Sequence, residues 1–561
     1  MRRPSNGALV VIICGLLSHA LLLATNYVVW DGWWQFADVA WPDGPIVTQT
    51  HLAEVGRPLD NAYYFPFQFV ETFAVRVWLS KSLGALLWIA SALLMVRVLE
   101  RIARVPSDAA TAIGALVASS SVFAMLGEYS LWMYTLAVFL FWLGWAGLSV
   151  LPSWKGAPAV GLRLALLATF FLSFNLNSLL VAYYAVALAL FALRLGSWKW
   201  SEMRAVATRC LCRFPDFLVL PIAFWIWKKV FHPLTGAYAG YNTPSFAIGH
   251  LAAGFAAMYQ QLIAPLALEM FSSPLWLLTA FFAALSFAWA VSRKGASHGI
   301  SANLGPILMT VGLALFLAFV FPYLAVGQVP SLFGWTSRNA ILAPLPLSMA
   351  VVGLAITVTR LFSFAPPHAW YVVVAGLIVL NVGACWRNYL SLQAFGLKQE
   401  AVAFQINEVK RQQPTALIQL RDYFRIPRTI DYYAPSIWTF LPTGAALRPE
   451  TFVFETTSMA PDQVQFDETG KPVSMSPWIP VNRTAFEDLI KSTTMAYAMT
   501  GIPRVGRHVL IKVYPADAEA DPLRLGADYI WHRWFTPESL EGFIKQSSVA
   551  QVAELPSIAD Q

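Results

Sequence analysis

Long apolar runs separated by short polar stretches fill about the first two thirds of the chain, and a mixed polar stretch fills the rest. Apolar runs of about 20 residues match the hydrocarbon thickness of a bilayer. They predict about eleven membrane-spanning helices, near 7–29, 78–98, 109–126, 131–151, 158–174, 179–195, 214–231, 272–292, 303–323, 340–359 and 369–385. A further helix near 245–268 reads as interfacial. The first run is longer than the apolar core of a signal peptide, which predicts an uncleaved span. With Arg2 and Arg3 held inside, the loops carrying Arg97, Arg101 and Arg104, then Lys155, Arg194 to Arg213, Arg293 with Lys294, and Arg360 all fall on the inner side. That agrees with the positive-inside rule, which played no part in counting the spans. Reading 158–195 as one re-entrant element would put the basic Arg194 to Arg213 loop outside, so two spans are expected there.

The pattern changes near Trp386. Residues 386–561 form a separate soluble region by composition, and 1–385 the transmembrane region. Helices are expected over 390–412, with Pro414 as a stop, and over 485–497 and 537–546, the last with Thr536 as N-cap and Pro537 in its first turn. Strand character appears at Ala416–Leu420, Thr451–Phe454 and His508–Val513. The expectation is an α-helical polytopic membrane protein with a C-terminal α/β domain on the outer, extracytoplasmic side.

Composition agrees. The chain is 57% hydrophobic and 12% charged, against roughly 25% charged residues in soluble domains. The net charge of +7 sits in the short inner loops, where topology accounts for it, so it does not point to nucleic acid. The four cysteines, Cys14, Cys210, Cys212 and Cys385, leave the C-terminal region without a disulfide. The Cys210-x-Cys212 pair lacks the further ligands of a metal site. No glycine-rich phosphate loop, metal-ligand spacing or nucleophile elbow appears in the C-terminal region.

Acids are scarce before Trp386, and half of them (Asp31, Asp38, Asp43, Glu54, Asp60 and Glu71) lie in the first outer loop, 30–77. Asp31 follows the first span directly, beside Trp30, Trp33 and Trp34. Partial desolvation there raises a carboxylate's pKa and suits it to general-base work. Glu128, in a four-residue turn, Gly127 to Ser130, on the same side, is the second catalytic candidate. Each also reads as an ordinary polar residue at a span end, with Trp as interface anchor. Outer-side cations that run against the charge rule are Arg57, Lys228, Lys229, His232 and Arg338. They are candidates for holding a phosphate, or else snorkelling cations. Trp33, Trp34, Trp41, Tyr63, Tyr64 and Tyr129 are candidates for stacking on sugar rings, or belt anchors, with Asp38 and Asp43 beside them as acceptor-binding groups.

This layout resembles the GT-C superfamily of integral-membrane glycosyltransferases. The resemblance rests on an acid just after span one in a long outer loop, an acid in the short second outer loop, about eleven spans and an outer C-terminal domain. The Gly56-Arg57-Pro58-Leu59 segment is similar to the glycine-arginine motif of bacterial membrane glucosyltransferases acting on O-antigen. The chain departs from the pattern in having no D-x-D or E-x-D pair in the second outer loop and no W-W-D-Y-G type motif. This speaks against an oligosaccharyltransferase and leaves a divalent cation, Mg or Mn, open. The resemblance implies a polyprenyl-phosphate sugar donor, a cell-surface glycan or lipid acceptor, inversion at the anomeric carbon with Asp31 as general base, and residence in a bacterial inner membrane with the N-terminus cytoplasmic. Three other readings compete: a transporter or flippase, a polymerase or ligase for lipid-linked glycans, and a non-enzymatic assembly protein whose outer domain binds a partner. Transporters place ionisable groups within spans and often show repeated halves, whereas the acids here gather at the surface and no repeat is visible.

Overall fold

The computed structural model describes residues 6–29, 53, 56–122, 127–128, 131–196, 201, 204–205, 208, 212–235, 243–272, 303–333, 335–361, 369–413, 417–424, 426, 453–455, 464–466, 472–475 and 508–555. Helix α1 (Asn6–His19) continues as a 3-10 turn, Ala20–Ala24, and gives way to extended chain. Next come α2 (Pro58–Tyr64), α3 (Phe73–Arg101), α4 (Ser107–Ala118), α5 (Trp132–Leu148), α6 (Gly156–Ser173), α7 (Ser178–Leu195) and α8 (Pro215–Phe231). Helices α9 (Ile248–Met258) and α10 (Ala264–Ser272) are joined by a π-turn, Tyr259–Ile263. Helices α11 (Leu304–Ala325), α12 (Pro344–Leu361) and α13 (Ala369–Gln412) complete the bundle.

Among the described residues nine helices are long and apolar enough to cross a membrane, where the sequence predicts about eleven. The expected third span forms only the short apolar helix Ser107–Ala118. The seventh, Pro215–Phe231, has 17 residues. The eighth, near 272–292, lies outside the described residues. Conversely, Ile248–Glu269 is long and apolar enough to span. Polar contacts at or next to it hold it to its neighbours. Ser245 N–H donates to Ala325 O, Leu332 N–H donates to Gln261 O, and Arg387 reaches Glu269 at 3.7 Å. Ala325 and Leu332 lie at, or just beyond, the end of α11, and Arg387 lies near the middle of α13.

The bundle interior is aromatic and close-packed. Trp145 stacks on Tyr183 at 5.1 Å, and Phe170 meets Tyr183 edge-on at 5.1 Å, joining α5, α6 and α7. Helices α11 and α12 approach through small residues, as membrane helices do. A Cβ at Gly312 would stand 2.6 Å from Ala350 N.

The last apolar run does not end at 385. It continues unbroken into the expected 390–412 helix, giving one helix of 44 residues, about 66 Å at 1.5 Å per residue. Its distal half supports the C-terminal region. Strands β1 (Leu417–Asp422), β2 (Val453–Glu455), β5 (His508–Pro515) and β6 (Ser548–Leu555) form a sheet in the order β2-β1-β5-β6, with β3 (Val464–Phe466) and β4 (Pro472–Met475) paired separately. β1 runs parallel to β2 and β5, and β6 is antiparallel to β5. Helix α14 (Pro522–Trp534) packs along α13, with Asp521 capping it by accepting from Leu523 N–H at 3.1 Å. Residues 537–546 are helical as expected, a 3-10 turn followed by α15 (Leu540–Gln546). Thr536 does not cap it; its hydroxyl bonds His532 Nδ1 at 3.1 Å. The expected helix 485–497 lies outside the described residues.

Candidate functional site

The first loop returns to the bundle at Gly56. Its φ of +66° is a left-handed conformation that favours glycine. A side chain there would also meet His232 O at 3.0 Å, so the loop rests on the end of α8. The next residue, Arg57, lies over the Tyr134 ring at 5.3 Å, and its Nη1 is 3.8 Å from Asp60 Oδ2. Asp60 is buried, and Asn175 Nδ2 donates to its Oδ1. Its Oδ2 accepts no hydrogen bond among the described residues. Burial pushes the Asp60 pKa above the ordinary carboxylate range, partly offset by Arg57, Asn175 and Lys228.

The α6–α7 turn is the hub of this cluster. Asn175 serves Asp60, Asn177 Oδ1 accepts from Lys228 Nζ at 2.9 Å, and Ser178 Oγ meets the Tyr323 hydroxyl at 2.9 Å. Tyr323, at the end of α11, lies within electrostatic reach of Arg57 and Arg338. Arg338 sits in the 3-10 turn Trp335–Ala340. His232 follows α8, its ring 4.7 Å from that of Trp227. Lys229 is exposed beside Lys228. Residues singled out in three stretches of sequence, Arg57, then Lys228 with His232, and Arg338, therefore stand on one face of the bundle. Lys228 and Lys229 also occupy the C-terminal turn of α8, where the helix dipole favours cations.

Glu128 is on the same face, directly before α5. It is 1% exposed, so it is not a solvated turn acid. Its Oε2 accepts the Val29 N–H at 2.8 Å, two residues before Asp31. Lys81, fully buried in α3, lies within electrostatic reach of Glu128 and donates to Tyr27 O at 2.8 Å and Thr25 Oγ1 at 3.1 Å.

Tyr63 and Tyr64 are buried. The Tyr63 hydroxyl donates to Leu172 O at 2.9 Å, and burial, together with Asp60, raises its pKa so that it stays protonated. Tyr64 and Phe67 pack on Trp132, at 6.1 and 4.9 Å. These rings brace the loop against α5. Asp31, Asp38, Asp43, Trp33, Trp34, Trp41 and Tyr129 lie outside the described residues. Among the described residues no group of three or more His, Cys, Asp or Glu side chains comes together.

Asp60, Lys81, Tyr134, Asn175, Asn177, Ser178 and Tyr323 were not picked out by sequence reasoning. Asp60 had a signal, as one of six acids in the loop, and so did Lys81, a charge inside an apolar run. No protein-family model, curated protein or solved structure matches this chain.

Proposed function

We propose that the protein is an integral-membrane glycosyltransferase of the GT-C type. It moves a sugar from a polyprenyl-phosphate donor to a cell-surface glycan or lipid acceptor, at the outer face of a bacterial inner membrane. The observation that carries this reading is the cluster of basic residues Arg57, Lys228, His232 and Arg338, held around Asn177 and Tyr323 on the face that also receives the returning first loop, which bears Asp31 upstream. Preorganised basic groups suit a lipid-anchored phosphate, whose leaving oxygen gains charge in the transition state. Guanidinium groups match phosphate geometry particularly well.

The reaction is a single displacement. The acceptor hydroxyl oxygen attacks the anomeric carbon, and Asp31 takes its proton. The new glycosidic C–O bond forms as the bond from the anomeric carbon to the phosphate oxygen breaks. The electron pair leaves on polyprenyl phosphate, against the cluster. Attack from the opposite face inverts the centre, as in inverting glycoside chemistry. Trp33, Trp34, Trp41 and Tyr129 remain the aromatic candidates for meeting the sugar, and Asp38 and Asp43 the acceptor-binding candidates. A polymerase or ligase reading rests on the same cluster, because Arg338 and His232 would handle a lipid phosphate there too. It differs in transferring a whole glycan chain rather than one sugar.

The direct test is binding of polyprenyl monophosphate to the protein in nanodiscs by native mass spectrometry, with the polyprenol alcohol as control. The phosphate should bind and the alcohol should not. Arg57→Ala and Arg338→Ala should each weaken binding by about tenfold, the scale of one charge-assisted hydrogen bond. Equal binding of phosphate and alcohol would remove the basis of this reading.

A further inference from the structure

The chain leaves the first span through Thr25 to Val29, a segment that starts extended at Thr25 and has no strand partner among the described residues. A buried extended segment must find bonds elsewhere for its backbone groups. Here side chains from three distant elements supply them. From α13, Gln393 Oε1 accepts the Asn26 N–H at 3.0 Å, and Gln399 Nε2 donates to Val28 O at 3.2 Å. From α3, Lys81 donates to Tyr27 O and stands 3.6 Å above the Tyr27 ring. From the turn before α5, Glu128 takes the Val29 N–H. All four side chains are at most 2% exposed. Gly396 lets the segment lie directly on α13, since a Cβ there would meet Tyr27 Cα at 3.3 Å.

The C-terminal region joins the same network. Asn26 Oδ1 accepts from Gln393 Nε2 at 2.6 Å, and its Nδ2 donates to Glu400 at 3.2 Å and to the Tyr529 hydroxyl at 3.3 Å. Trp534 Nε1 donates to Ala24 O at 2.8 Å. Burying a lysine, a glutamate and two amides beside a membrane is costly unless every group is satisfied, and a satisfied network rigidifies what it holds.

We infer that Glu128 is a positioning residue rather than a second acid–base group: with Lys81, Gln393 and Gln399 it clamps Thr25–Val29 and sets where the chain enters the loop at Trp30. The C-terminal region is tied to that clamp through Asn26 and Ala24. The consequence for catalysis rests on the transferase reading, because what the clamp places is Asp31. The clamp itself does not depend on that reading.

The two parts are separable by experiment on the full chain in nanodiscs. Hydrogen exchange of peptides covering 24–32 reads the clamp without any substrate. Glu128→Ala should speed exchange at Val29 by at least about tenfold, the scale of one lost buried hydrogen bond. Glu128→Gln keeps an acceptor oxygen and should restore protection. If Glu128→Ala does not fold, Gln399→Leu serves as the second variant: it frees Val28 O and should loosen the same peptide. Unchanged exchange in the folded variants overturns the clamp, whatever the protein catalyses. In sugar-transfer assays, Glu128→Ala should lower kcat with little change in the donor KM, and Glu128→Gln should recover kcat. A Gln variant with normal exchange but no turnover would overturn the positioning role and return Glu128 to acid–base work. If the wild type transfers no sugar while exchange behaves as stated, the transferase reading falls and the clamp stands.

Discussion

Placing the Asp60 carboxyl beneath Arg57 takes it out of water and leaves one of its oxygens without a hydrogen-bond donor among the described residues. Its pKa in the folded protein therefore lies above that in the unfolded chain. The sign follows from linkage. Below the ordinary carboxylate pKa of about 3.9, Asp60 is neutral in both states, and this relative advantage of the folded state is complete. As pH rises through the folded pKa the protein must bury a charge, and that stability is lost. Asp60→Asn keeps an oxygen for Asn175 and removes the charge. Its thermal midpoint relative to wild type should therefore rise between pH 4 and pH 8. A difference that stays flat or falls over that range would contradict the assignment. Sequence spacing showed Asp60 only as one acid among six, because nothing in the loop reveals that Asn175, more than a hundred residues away, closes over it. Glu128 was legible for the opposite reason: a carboxylate in a four-residue turn between apolar runs is unusual on its face. Its bond to Val29 was not, since that contact joins two turns across the bundle.

At the scale of elements, the apolar runs located most of the helices, because about 20 consecutive apolar residues have few other uses. The end of the last one was misplaced. Trp386, Arg387 and Asn388 end the apolar run but contain no helix breaker, so the helix propagates into the polar region. Strand β6 and helix α14 were also missed. The β6 segment Ser548–Leu555 carries Ala, Gln, Glu and Leu, a composition at home in a helix. Helix α14 seats on α13 through Gly526, where a Cβ would meet the Leu390 carbonyl. Gly526→Val should therefore push α14 off α13, at a cost of about 1–3 kcal/mol typical of overpacking. Limited trypsin digestion is expected to cut faster at Arg524 and Arg533 in the variant. A digestion pattern identical to wild type would show that α14 does not need this close approach.

Across the whole molecule, helix ends far apart in sequence meet on one face. The α6–α7 turn, the end of α8, the end of α11 and the 3-10 turn at Arg338 meet the returning first loop there. The long helix α13 then carries the C-terminal region to the same side, where α14 bonds the chain as it leaves the first span. Charge patterning had singled out Arg57, Lys228, His232 and Arg338 as departures from the inner-side bias, and they lie on that face. The central claim is that this face transfers a lipid-linked sugar with Asp31 as base. The most direct measurement is mass spectrometry of surface glycans and lipid-linked sugars from a strain lacking the gene, carrying wild type or Asp31→Asn at equal protein level. The account predicts that the deletion loses a sugar, that wild type restores it and that Asp31→Asn does not. Full restoration by Asp31→Asn would remove the base, and a deletion with unchanged glycans would contradict the transferase itself.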